Sequence, residues 1–269
     1  MAEPLSNPVA DSASRHQRAF LPILAALVAL GWLALWAWSR SPYGRYLQHG
    51  DWTADGPAAA LCQAVPAGGI VVPLALTAAA WLLMTAAMML PTTLPLFDTF
   101  GRVVARRPDR ARLLLMLGLG YLAVWSGFGL LVHGLQQGVL ALLPIPERLG
   151  WLAGTATFAL AGAFQFSRLK RRCLDRCRTP LSFVMQHWRG RAPARHAFAL
   201  GAHHGLFCVG CCWALMLLMF VVGMGSLGWM LLLAAGMAVE KNERWGHYLS
   251  TPLGVALLGW AALLAWHHA

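Results

Sequence analysis

A chain of 269 residues that is 58% hydrophobic and 12% charged is no ordinary soluble domain, and its apolar residues come in runs of membrane-spanning length. The net charge of +11 requires no nucleic acid, because membrane topology and anionic lipid account for it. The sequence therefore predicts an all-α, polytopic transmembrane bundle in contact with lipid.

Residues 1–19, polar and carrying Pro4 and Pro8, read as a disordered cytoplasmic arm. Seven apolar runs follow, at 20–38, 70–90, 113–143, 151–166, 197–223, 227–239 with a polar continuation, and 249–266. About seven helices, six to seven, are expected. The first run is too long for a signal peptide, so it reads as a retained anchor. With seven spans, 18 of the 21 basic residues fall on one side. Lys and Arg are retained in the cytoplasm, which places the N-terminus of this multi-pass chain there and the C-terminus outside.

Residues 39–69 then form a periplasmic loop, in which His49 and Asp51 suit a surface metal or a plain polar loop and Cys62 has no cysteine beside it for a disulfide. The core of interest is 70–245, with 246–269 a last transmembrane helix and tail. At the end of the second run, Trp81, Met84 and Met88 share a face before Pro91 breaks the helix. The third run is glycine-rich, which favours close helix contact, and Pro144-Ile145-Pro146-Glu147 reads as a tight outer turn. Cys173 and Cys177, spaced i, i+4 among arginines, share a face if their segment is helical, and the basic surroundings predict lowered thiol pKa values. A relay for a soft metal, redox exchange, or a basic surface segment with incidental cysteines all fit.

The fifth run carries His203-His204-Gly205-Leu206-Phe207-Cys208-Val209-Gly210-Cys211-Cys212-Trp213, three of six cysteines and two of ten histidines. At about 100° per residue, His204, Cys208, Cys211, Cys212 and Met219 lie on one stripe, with His203 about 100° to the side. Imidazole, thiolate and thioether on one stripe suit Cu(I) first and Zn(II) second. Cysteine in a membrane helix also serves as small, polarizable packing, and that reading stands beside the first. Depth links the helices: at about 1.5 Å per residue and a core of about 30 Å, Met84 lies some 9 Å, and His204 and Glu240 about 10 Å, from the inner edge. The predicted metal set is His204, Cys208, Cys211, Cys212, Met84, Met88, Glu240, His203 and Met219, with no catalytic residue assigned.

With Trp81…Met84…Met88-Met89-Leu90-Pro91, His204-Gly205…Cys208-Val209-Gly210-Cys211-Cys212-Trp213, Met216…Met219-Phe220 and Glu240-Lys241, the chain resembles a bacterial family of predicted metal-binding integral membrane proteins. That family is a domain of unknown function, at times described as a copper chaperone, and the resemblance covers roughly 70–245. It implies an inner-membrane protein that handles copper, with a copper enzyme or another copper chaperone as partner. No phosphate-binding Gly-x-x-x-x-Gly-Lys-Ser/Thr loop is present, so delivery or assembly fits better than transport driven by a P-loop ATPase within the chain. A thiol oxidoreductase using Cys208 and Cys211, a haem-ligating subunit using His203 or His204, and a purely structural subunit are the competing readings.

Overall fold

The computed structural model describes residues 26, 28–40, 71–142, 150–189, 192–222 and 226–268. The N-terminal arm, most of the 39–69 loop with His49, Asp51 and Cys62, and the turn at 144–147 lie outside the described residues.

Ten helices carry the described chain: α1 (Val28–Ser39), α2 (Val71–Met89), α3 (Leu94–Val103), α4 (Arg110–Leu142), α5 (Gly150–Phe164), α6 (Arg168–Arg178), α7 (Pro180–His187), α8 (Pro193–Val222), α9 (Leu227–Asn242) and α10 (Ser250–His268). No strand occurs among the described residues. Among the described residues three segments are long and apolar enough to cross a membrane, 110–136 in α4, α8, and the stretch Gly246–His268 ending in α10. A fourth is added if α2 and α3, bent by 45° across the short turn Pro91–Thr93, make one span. That count is lower than the seven apolar runs. Helices α5 and α9, of 15 and 16 residues, reach only about 23 and 24 Å at 1.5 Å per residue, short of a core of about 30 Å.

The centre of the molecule is the pairing of α4 with α8, its most extensive helix contact. Two glycines make it possible. A Cβ at Gly201 would collide with the backbone carbonyl of Leu117, and one at Gly120 with that of Phe198. The two backbones therefore touch, as small residues allow between membrane helices. Against this pair, α2 adds a hydrogen bond from Trp81 Nε1 to the Trp125 carbonyl at 2.8 Å. On the far side, α5 packs on α10. Val255, Leu258, Leu263 and Trp266 of α10 point outward, an apolar surface compatible with lipid.

Helix α6 is short and differently built. Ser167 caps it by accepting a hydrogen bond from the Lys170 amide at 3.0 Å. Its Arg171, Arg172, Asp175 and Arg176 are exposed, while Lys170, Cys173 and Leu174 are buried and Cys177 is half-buried. Spacing of i, i+3, i+4 and i+7 puts those four on one inward stripe, which lies on α8.

Candidate metal centre

The centre forms where α8, the end of α2 and the end of α9 meet beneath α6. Cys208, Cys211 and Cys212 are buried on the inner face of α8. The thiols of Cys211 and Cys212 each donate back to the Cys208 carbonyl, at 3.1 and 2.9 Å, as short polar side chains do in apolar helices. The Cys208 sulfur instead faces outward from the helix, 3.0 Å from the Tyr121 hydroxyl of α4.

A single ammonium sits among these sulfurs. Lys241 Nζ lies 3.0 Å from Cys208 Sγ, 3.8 Å from Cys212 Sγ, 3.9 Å from Met89 Sδ and 3.3 Å from Thr92 Oγ1. Met89 Sδ also lies 3.9 Å from Cys212 Sγ. Four acceptors share the three protons of one cation, so two thiols, a thioether and a hydroxyl converge on a positive charge. The Lys241 side chain is brought there by the last turn of α9. Its neighbour Glu240, about 100° round the helix, points the other way. Glu240 takes both oxygens to Lys170 Nζ, at 2.7 and 2.8 Å, and accepts from the Ser250 hydroxyl at 2.6 Å. Gln165 completes that network by accepting from Lys170.

The other predicted residues are distributed around the centre. Met84, Met88 and Met219 are fully buried in the same apolar cluster as the cysteines. Sulfur from α2 reaches Cys212 through Met89 instead, the last residue before the bend. His204 is buried between the rings of Tyr121 and Phe183, with centroids 6.2 and 5.5 Å away. Its Nδ1 is buried and has no hydrogen-bond partner among the described residues. His203 lies on the exposed side of α8, its ring 5.4 Å from that of His187.

The metal set predicted from the sequence leaves out Lys241 and Met89. Each sits beside a residue it did select, and helix phase near a bend or an end is what separates the neighbours. The Cys173 and Cys177 expectation also needs correction. Burial, with the Cys211 thiol second, pushes the Cys173 thiol up from its ordinary value. The hydrogen bond to Cys211, and then burial, push Cys177 up as well. Of the arginines expected to lower both values, Arg168, Arg171, Arg172 and Arg176 lie on the exposed face of α6, and Arg178 donates to the backbone carbonyls of Glu240 and Arg244.

Among the described residues no three His, Cys, Asp or Glu side chains form a group that could hold a metal ion. What converges is a soft set of two thiols and one thioether. That set matches a soft monovalent ion with few sulfur ligands better than the closed four-ligand geometry of structural zinc.

No curated protein and no solved structure matches the chain. A family model named PpoB2 and described as copper chaperone matches residues 78–264, which continues past the resemblance seen in the sequence and takes in most of α10. The match covers more than half of the chain and contains Met89, Cys208, Cys212 and Lys241. The chain belongs to this copper chaperone family.

Proposed function

We propose that this protein is a multi-pass bacterial inner-membrane protein that binds Cu(I) between Cys208, Cys212 and Met89 and hands it to a copper enzyme or to another copper carrier. Copper is cargo here, not a resident cofactor. The observation that carries the reading is the position of the Lys241 ammonium, which marks a place where two thiols and a thioether already face a single positive charge.

Charge accounting supports it. Cu(I) replaces the two thiol protons, so that two S–H bonds break, two S–Cu bonds form, and both protons leave. Two thiolates and one Cu(I) carry one net negative charge, which is costly in an apolar interior. The adjacent ammonium makes the loaded site neutral. Met89 offers a third, weaker sulfur, and His204 an imidazole on the same stripe of α8. Met84, Met88 and Met219 supply the soft packing around the donors, and Glu240 anchors the helix end that delivers Lys241. His203, on the exposed face, stands outside the donor set.

The arginines of the α3–α4 junction and of α6 support a cytoplasmic orientation for the end of the bundle at which α6 lies. The test is metal analysis of anaerobically purified protein beside a Cys208→Ser/Cys211→Ser/Cys212→Ser variant. Copper near one equivalent or more in the wild type, lost from this centre in the variant, is the expected result. Copper content unchanged by the triple substitution refutes it.

A further inference from the structure

A second group of thiols lies on the other side of Cys211. Cys177 of α6 lies on the stripe that packs against α8, within the apolar cluster that holds Cys211. Cys173, one turn earlier on the same inward stripe, rests on Gly210, where an added Cβ would stand 2.7 Å from the Cys173 sulfur. Gly210 is thus the space that lets a cysteine of α6 settle beside Cys211. Among the described residues Cys173, Cys177 and Cys211 form no disulfide.

The helix that brings the pair is held at both ends. Near its start Lys170 binds Glu240, and at its end Arg178 donates to the backbone carbonyls of Glu240 and Arg244, the latter at 2.9 Å. Helix α6 therefore spans the end of α9 as a strap with its two cysteines underneath. Fixed supporting contacts of this kind are what hold ligand groups in place. Accessibility is graded as well. Cys177 is half-buried at the arginine-rich edge, Cys211 is buried, and Cys208 is fully enclosed.

We propose that Cys177 and Cys211, with Cys173 beside them, form a second Cu(I) site at the arginine-rich edge, through which copper passes to or from Cys208 and Cys212. The proposal rests on copper handling by this chain. Two thiolates suffice for Cu(I), the soft ion they select. Loading breaks the two S–H bonds of Cys177 and Cys211 and forms two S–Cu bonds, the protons leaving at the half-buried Cys177. Transfer inward exchanges these sulfurs one at a time for those of Cys208 and Cys212, with no change in oxidation state. Cys211 belongs to the same helix face as the inner pair and to the outer pair by contact, so the ion need not leave sulfur between the two.

The test counts copper. The full chain, purified anaerobically in detergent, is titrated with Cu(I) as its acetonitrile complex against bicinchoninate, and the bound equivalents are read by native mass spectrometry. Two equivalents are expected for the wild type, one for Cys173→Ser/Cys177→Ser and one for Cys208→Ser/Cys212→Ser. A Cys177→Met variant, which keeps a soft donor, is expected to retain the second equivalent with weaker binding, and thermal melts confirm folding. Equal copper in the wild type and in Cys173→Ser/Cys177→Ser, with loss in Cys208→Ser/Cys212→Ser, overturns this proposal and leaves the inner site standing. No copper in the wild type overturns both.

Discussion

Lys170 and Glu240, 70 positions apart in the chain, meet as a bidentate ion pair with side chains only 1% and 3% exposed. Every oxygen of the carboxylate has a partner, since Ser250 donates to one of them. The pair fastens α6 to the end of α9.

Breaking one half of a buried pair strands the other charge, at a cost of about 3–5 kcal/mol. Lys170→Met is therefore expected to destabilise the protein by that order, measured by unfolding in mixed micelles. Adding Glu240→Gln to Lys170→Met should recover much of the loss. A double variant as unstable as the single one would show that the pair is not the source.

Lys241 performs a different task one residue further on. Lys241→Gln, one atom shorter, keeps a hydrogen-bond donor but removes the positive charge beside Cys208 and Cys212. Copper affinity is expected to fall at least about tenfold, equivalent to about 1.4 kcal/mol, as read by bicinchoninate competition. Binding as tight as that of the wild type would separate the ammonium from copper handling.

The methionines of α2 should divide by position. Met89→Ala is expected to weaken Cu(I) binding with a modest effect on folding, because its sulfur lies at the thiols. Met84→Ala and Met88→Ala should leave affinity unchanged and cost about 2–5 kcal/mol of stability each, as buried truncations do. The same titrations and melts decide the matter, and an equal loss of affinity in all three would contradict the assignment.

The contact of α4 with α8 gives a further expectation. Gly201→Val forces a side chain into the Leu117 carbonyl and is expected to destabilise by about 1–3 kcal/mol or more through overpacking. Gly228→Ala, where nothing lies within 4 Å of an added Cβ, should be near neutral. Paired melts of the two variants make the comparison.

Much of the centre was legible in the sequence because α8 is a long regular helix. A constant turn per residue aligned His204, Cys208, Cys211, Cys212 and Met219, and the structure buries all five. Regularity ends at the bend after Met89 and in the last turn of α9. There the phase shifts by a residue, so that Met89 and Lys241 face the thiols while Glu240 turns to Lys170 and Ser250. Hydropathy likewise located the apolar runs around α5 and α9 but not their helical lengths. Nothing in the spacing of Cys173 and Cys177 indicated what they touch, since their partner lies on another helix.

The only two lysines of the sequence are Lys170 and Lys241, and both are buried in the folded protein. The other 19 of the 21 Lys and Arg residues are arginines. The native surface over the described residues thus presents no primary amine from a side chain. Acylating reagents aimed at lysine, and endoproteases that cut after it, find their targets only when the strap lifts or the fold opens. Digestion by a lysine-specific protease becomes an intrinsic gauge of that opening, with no engineered label needed.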